Sequence, residues 1–240
     1  MSRDYNKEYQ KFNKLKYYYN FDLLMHDYMI DTFKNNFIEG EALEIGCGNG
    51  NFTNKIRKFF KKITIVEASS DFAKRLKKNI KKITIVNSTF EKFNTQKKFD
   101  NIFLIHTLEH VADRKKFLKK ARSYLSKKGK LFIVVPNADA ASRLIAVNMG
   151  LIKKKTSITK KEKKHGHVIT FESSSLKENI LKAKLKIIKH GGIFFKSLAN
   201  FQIDDCIKNK IINKKFLDAC YELGKSYPKF CSSIYCITKR

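Results

Sequence analysis

The sequence predicts a doubly wound α/β fold: seven strands, mostly parallel, with an antiparallel strand near the C-terminus and helices on both faces of the sheet. From residue 41 onward, short apolar segments of strand length alternate with segments of helical periodicity. The first of these strands runs into a glycine-rich turn, residues 46–50, that opens a helix. Two further strand-like segments near the C-terminus complete the set of seven.

The first forty residues contain many aromatic residues and no strand-like alternation. Apolar side chains at helical spacing predict an amphipathic helix over Phe21–Phe37 that ends near Gly40. We interpret residues 1–40 as a helical lid. The cluster Tyr17–Tyr19 is either the edge of that lid or core packed against the sheet.

The central part of the chain, residues 41–136, alternates strands and helices. The five predicted strands are Ala42–Ile45, Ile63–Val66, Ile83–Val86, Asn101–Ile105 and Leu131–Val135. The predicted helices are one that runs through Ile56 and Phe59, one over Asp71–Ile80 capped by Ser69 or Ser70, and one over Arg114–Leu125.

The C-terminal part predicts strands over Ile187–Phe195 and Ser232–Thr238, with a helix-compatible stretch, Asp204–Leu223, between them. Regular alternation of strands and helices does not require residues 138–174, so we expect an insertion there within a main domain of residues 41–240. This insertion contains a predicted helix, Ser142–Met149, and a basic loop, Lys153–Lys164.

The composition predicts a folded protein without membrane spans or disulfide bonds. The hydrophobic fraction of 42% supports a folded core, and no apolar run is long enough to span a membrane. The first residues are polar, so no secretory signal is expected. Five cysteines without paired spacing predict reduced thiols in a cytoplasmic protein.

The net charge of +29 has two interpretations. It favours an anionic partner such as nucleic acid, phosphate or a membrane surface. Alternatively, it reflects a compositional bias, because the chain is rich in Lys, Ile and Asn, lacks Trp, and spreads its basic residues along its whole length.

The glycine turn has the spacing G-x-G-x-G at Gly46, Gly48 and Gly50, preceded by Glu44. This spacing differs from G-x-G-x-x-G of dinucleotide enzymes and lacks the Gly-Lys-Ser/Thr of a P-loop. An acid, Glu67, ends the second strand, where a carboxylate can accept hydrogen bonds from both hydroxyls of a ribose.

This ordered set of motifs resembles that of class I S-adenosylmethionine-dependent methyltransferases, whose fold is Rossmann-like. The segment His106–Val111 is similar to the "LEHV" signature of the small-molecule branch. The resemblance spans about residues 38–240. The other matching segments are Glu44–Gly50, Glu67, Asn87–Phe90, Phe99–Phe103 and Gly129–Asn137.

The resemblance implies S-adenosylmethionine as cofactor and a role for each matching residue. Glu67 would hold the ribose hydroxyls. Ser88 stands where the family often has Asp, so the adenine contact is less secure at that position. The implied cofactor-binding residues are Glu44, Gly46, Gly48 and Gly50 on the methionine and ribose side, Glu67, Ala68, Thr89 and Phe90 around the ribose and adenine, and His106 beside the methyl group.

Methyl transfer needs a general base only when the nucleophile is a hydroxyl or a protonated amine, and His serves best near neutral pH. His106, after the fourth strand, is the first candidate, and His167 is the second. His110 has at least as good an interpretation as a packing residue. His165 and His167 without an acid cluster nearby are weak grounds for a metal site, so no metal is expected.

A looser resemblance links residues 136–143, 165–167 and 191–201 to methyltransferases of sugar, capsule and lipopolysaccharide biosynthesis. It implies contacts to an anionic, nucleotide- or phosphate-linked acceptor from Arg143, His165, His167 and Lys196.

The favoured function is O-methylation of a sugar-type or phosphorylated small molecule of capsule or surface polysaccharide synthesis. An RNA methyltransferase is an alternative that rests on charge alone, and a quinone-precursor methyltransferase rests on the "LEHV" resemblance. A third alternative is a non-catalytic partner that only binds the cofactor.

Overall fold

The computed structural model describes Asn6, residues 20–80 and residues 83–240. Most of the predicted lid before residue 20, including Tyr17–Tyr19, lies outside these residues. The described strands are β1 (Glu41–Ile45), β2 (Lys62–Glu67), β3 (Ile83–Asn87), β4 (Phe99–Ile105), β5 (Leu125–Pro136), β6 (Lys186–Phe195) and β7 (Cys231–Lys239). The described helices are α1 (Asn20–Phe33), α2 (Asn51–Ile56), α3 (Ser70–Asn79), α4 (Arg114–Ser123), α5 (Ala141–Asn148), α6 (Lys160–Lys164), α7 (Ser173–Lys182), α8 (Asn200–Lys208) and α9 (Lys214–Ser226).

The seven strands form one sheet in the order β3-β2-β1-β4-β5-β7-β6. Strands β1 to β5 pair in parallel, whereas β7 lies antiparallel between β5 and β6. This confirms the predicted fold class. Strand order reverses at β1, which lies between β2 and β4, and ligands of doubly wound sheets bind beyond the strand ends at such a reversal.

Each face of the sheet carries its own apolar core, as alternation along a strand requires. In β4, Phe103 and Ile105 join the core under α1, α2, α8 and α9. Ile102 and Leu104 point the other way and join the core under α4 and α7. The sheet is therefore covered on both sides, as predicted.

Several predicted element bounds were wrong. The stretch Asp204–Leu223 is two helices, because Lys210 adopts a φ of +56° at the break and the Asn213 side chain caps α9. The loop Lys153–Lys164 ends in α6, which begins with a capping box of Thr159 and Glu162. Helix α7 was not predicted, and β5 begins six residues before the predicted Leu131.

None of the helices in the described ranges is long and apolar enough to cross a membrane.

Candidate functional site

A cavity of about 870 Å³ opens at the carboxyl ends of β1, β2, β4 and β5. Helix α1 forms one wall through Phe21, Met25 and Met29, and the insertion forms another through Arg143 and His165. The volume lies in the upper part of the range for ligand pockets, roughly 300–1,000 Å³. The cavity therefore has room for a cofactor together with a small acceptor.

Glu67 lies at the end of β2 and is almost fully buried. Its carboxylate accepts hydrogen bonds from the Ser69 backbone N–H at 2.8 Å and from the Cys47 thiol at 3.6 Å. Burial raises the pKa of Glu67, and the hydrogen bonds from Ser69 and Cys47 offset part of that rise. A buried acceptor of this kind suits neutral hydroxyl donors.

Glu44 also lines the cavity and is buried at the end of β1. It accepts a hydrogen bond from the Thr53 hydroxyl at 2.6 Å. Burial raises its pKa to about 7, with the Thr53 hydrogen bond acting in the opposite direction and the charge of Glu67 adding to the rise. Glu44 therefore joins the glycine turn to helix α2.

The three glycines of the turn have different surroundings. Gly46 and Gly48 line the cavity, and both have positive φ angles, 72° and 53°. Gly50, at φ 77°, is the N-cap of α2, and a Cβ there would meet the side chains of Leu76 and Ile80. Gly50 thus lets α2 pack close to α3, and its role in cofactor binding stays a prediction.

The predicted adenine end consists of Ala68, Thr89 and Phe90, all of which line the cavity. Phe90 is buried, and its ring centroid lies 4.5 Å from that of Phe117 on α4. The Lys120 ammonium donates to the Phe90 carbonyl at 2.8 Å. These contacts hold the loop after β3 against α4.

His106 follows β4 and lines the cavity with an uncommon backbone conformation, φ +50°. Its Nδ1 atom lies 3.3 Å from the Glu109 carboxylate, which is buried. Its Nε2 atom lies 3.5 Å from the Ser233 hydroxyl of β7. The carboxylate can thus orient the imidazole, as in an acid–His pair of a general base.

The insertion brings two more histidines to the same cavity. His165 and His167 follow α6 and line the cavity together with His110. The ring centroids of His110 and His167 lie 4.7 Å apart in an edge-to-face arrangement. Burial is the main cause that lowers the pKa of both His165 and His167 to about 4, so both imidazoles are neutral at pH 7.

The two predicted basic contacts also line the cavity. Arg143 forms an ion pair with Glu162 at 2.7 Å and donates to the Lys155 and Ser157 carbonyls, so it holds the insertion together. Lys196 is buried, and its ammonium donates to the Leu198 carbonyl at 2.9 Å. Burial lowers the pKa of Lys196 to about 8.

Sequence reasoning assigned no role to Glu109, which is buried behind His106, or to Glu162, which lines the cavity. Glu109 belonged to the "LEHV" segment, so its position in that motif was an available signal. Glu162 pairs with Arg143 across 19 residues, and no local pattern in the sequence indicates that pairing.

The model of a family described as "Methyltransferase domain" matches residues 18–190, more than two thirds of the chain. The chain belongs to this methyltransferase family. As a member, this methyltransferase uses S-adenosylmethionine. Glu67 at the end of β2 and Gly46 and Gly48 of the turn after β1 line the cavity. No protein of curated function matches the sequence.

Solved structures share the fold of this methyltransferase. A S-adenosylmethionine-dependent methyltransferase from Clostridium acetobutylicum is 14% identical, with a TM-score of 0.59 and 98% of each chain covered. One from Archaeoglobus fulgidus is 17% identical, with a TM-score of 0.58, covering 91% of this chain and 94% of the other. The N-methyltransferase NodS from Bradyrhizobium japonicum, bound to S-adenosyl-L-homocysteine, is 14% identical, with a TM-score of 0.53 and coverage of 90% and 85%.

Proposed function

We propose that this methyltransferase O-methylates a small anionic acceptor, a nucleotide- or phosphate-linked sugar of surface polysaccharide synthesis. The observation that carries the proposal is the pair of His106 and the buried Glu109, which follow the carboxyl end of β4. Nδ1 of His106 lies 3.3 Å from Oε1 of Glu109. A base with an orienting carboxylate serves an acceptor whose nucleophile must lose a proton, as a hydroxyl must.

S-adenosylmethionine supplies a methyl group on a sulfonium that is already a good leaving group. The protein therefore has to align the acceptor oxygen with that methyl group and to remove its proton. The Glu109 carboxylate lies 3.3 Å from Nδ1 of His106 and favours a proton on that nitrogen, which leaves Nε2 to accept the proton of the acceptor hydroxyl. His167 of the insertion also lines the cavity, is neutral at pH 7 and supports a second contact to the acceptor.

The buried Lys196 supports the anionic character of the acceptor. Burial disfavours its ammonium form, and the charge of Asp22 offsets this only in part. An anionic group of the acceptor would stabilise that ammonium further. Lys161 and Lys164, both in α6, also line the cavity and add positive charge to it.

The proposal also covers the cellular location of the enzyme and the role of its N-terminal residues. We place the enzyme in the cytoplasm, which the five free cysteines support. We also propose that residues 1–40 act as a lid, because α1 forms a wall of the cavity through Phe21, Met25 and His26.

The first experiment is calorimetric titration with S-adenosyl-L-homocysteine, followed by a turnover screen against nucleotide sugars, phosphorylated sugars and RNA. We expect His106→Ala to bind S-adenosyl-L-homocysteine as the unaltered protein does and to lose about 10²–10⁴-fold in turnover. His190→Ala is the matched control, because His190 is exposed on β6 and contacts Lys177 instead of the cavity.

The outcomes separate the alternatives. Equal losses of cofactor affinity and turnover in His106→Ala would rule out His106 as the base. Turnover of RNA that falls steeply with added salt would favour the alternative based on the +29 charge. Cofactor binding with no turnover of any acceptor class would favour a non-catalytic partner.

A further inference from the structure

Beyond the cofactor, we propose that Glu109, His110 and His167 bind one divalent transition-metal ion beside the acceptor. One ligand atom from each of these side chains lies within 4.8 Å of the other two. Metal–nitrogen and metal–oxygen bonds of roughly 2.0–2.2 Å need ligand atoms somewhat closer than this. Rotation of the side chains would have to bring the three ligand atoms closer around an ion.

Backbone contacts bring the two contributing segments together. Glu109 and His110 lie in the single turn Leu108–His110 after β4, and His167 belongs to the insertion. The Val168 N–H donates to the Glu109 carbonyl at 2.9 Å, and the His167 N–H donates to the Glu162 carbonyl at 3.1 Å. The ligand set is therefore held by main-chain hydrogen bonds on both sides.

The Glu109 carboxylate provides a second and independent observation. The residue is 1% exposed, and neither carboxylate oxygen accepts a hydrogen bond of normal geometry from the described residues. The His106 imidazole lies beside it, with Nδ1 3.3 Å from Oε1. A buried carboxylate with unfilled acceptor sites is costly, and a bound cation removes that cost.

The donor set indicates the class of metal. Two imidazoles and one carboxylate suit Zn²⁺, Fe²⁺ or Co²⁺, whereas Mg²⁺ and Ca²⁺ prefer oxygen ligands alone. Three protein ligands also leave coordination positions open, as in catalytic zinc sites. Because His110 and His167 line the cavity, an ion held by them would lie at the wall of the space available to the acceptor.

A chemical consequence follows, and it rests on the proposed O-methylation. A metal ion lowers the pKa of a coordinated hydroxyl, so an acceptor bound to it releases its proton more readily. In the proposed transfer the acceptor oxygen would give its proton to Nε2 of His106 and attack the methyl carbon as the carbon–sulfur bond breaks. One Glu109 oxygen can face His106 while the other binds the ion.

The test is metal binding by the full chain after chelator treatment. We expect one equivalent of Zn²⁺ by calorimetry, and visible d–d absorption when Co²⁺ is added instead. His167→Ala and Glu109→Gln should each weaken Zn²⁺ binding by more than the roughly 10–100-fold that loss of an outer-sphere partner costs. His190→Ala, an exposed histidine outside the cavity, should bind Zn²⁺ as the unaltered protein does.

S-adenosyl-L-homocysteine affinity, measured on the same metal-free samples, shows that each variant is folded. If Glu109→Gln fails this check, His167→Ala carries the test. No bound ion, or equal affinity in the variants, would refute the metal site. A chain that transfers methyl groups and binds no ion refutes this site alone, whereas bound Zn²⁺ with no methyl transfer refutes only the proposed function.

Discussion

His106 combines an uncommon backbone conformation with the role of general base proposed above. Its φ of +50° is uncommon for a residue other than glycine and costs on the order of 1–3 kcal/mol. The hydrogen bond from its N–H to the Val134 carbonyl, 2.9 Å, keeps it aligned with β5. Such conformations cluster at functional sites, which agrees with the role proposed for His106.

At the same scale, Glu67→Gln is expected to weaken binding of S-adenosyl-L-homocysteine by roughly 1–3 kcal/mol, because hydroxyl donors lose a charged buried acceptor. This corresponds to about 5- to 150-fold in Kd by calorimetry. Glu41→Gln is the control, since Glu41 lies at the opposite end of a neighbouring strand and faces solvent near Lys97. Equal effects of both substitutions would remove Glu67 from the cofactor site.

At the scale of the element, two adjacent glycines of β6 differ in what surrounds them. A Cβ at Gly192 would lie 2.2 Å from the Pro228 carbonyl oxygen and 2.6 Å from Cβ of Cys231. A Cβ at Gly191 would lie 3.0–3.3 Å from the ring of Tyr235, a side chain that can shift. The turn before β7 lies so close to β6 that only glycine fits at position 192. At position 191 a larger residue fits if the Tyr235 ring moves.

We expect Gly192→Ala to lower the free energy of unfolding by about 3 kcal/mol, toward the upper end of the range for overpacking. Gly191→Ala should lower it by less than about 1 kcal/mol, because its neighbour is a movable ring. Urea unfolding of both variants provides the measurement. Similar midpoints for the two would show that the segment before β7 adapts easily.

The insertion illustrates how one element depends on another. Arg143 of α5 pairs with Glu162 of α6, and Glu162 also accepts a hydrogen bond from the Thr159 N–H at 2.7 Å. The same carboxylate thus caps α6 and attaches it to α5. Arg143 was predicted to bind an anionic acceptor, but its guanidinium already pairs with Glu162 within the protein. Lys196 is therefore the better candidate for the contact with the acceptor.

At the scale of the whole molecule, buried histidines link stability to pH. Burial, with the charges of His106 and Lys55, lowers the pKa of His26 from 6.5 to about 3. Between these values the unfolded chain binds a proton that the folded chain does not, so stability falls as pH drops below 6.5. The slope is at most about 1.4 kcal/mol per pH unit for one such group.

His165 and His167, with pKa values of about 4, act in the same direction. Glu44 acts in the opposite direction between 4.5 and about 7, because the folded protein then holds the extra proton. We expect His26→Leu to lose less stability than the unaltered protein between pH 6.5 and 4, as measured by urea unfolding. Parallel pH profiles would show that His26 is not held neutral by the fold.

Local patterns in the sequence determined much of the fold. Strand-length apolar runs, the glycine turn and the cap of α3 depend on neighbouring residues, so they could be predicted from neighbouring residues. The Ser69 side chain does accept the Phe72 N–H at the start of α3, one of the two caps expected. The doubly wound sheet followed from the order of these elements, whereas the family and its cofactor were implied by the resemblance of the motifs.

Only the tertiary structure decided how distant residues combine. Glu109 meets His167 across 58 residues because the insertion folds back onto the turn after β4. Arg143 pairs with Glu162 in the same way, and the buried Lys196 lies over the ring of Phe21, which is 175 residues away in the chain. These contacts join residues that are far apart in the sequence and form only when the chain packs. Local periodicity in the sequence therefore cannot predict them.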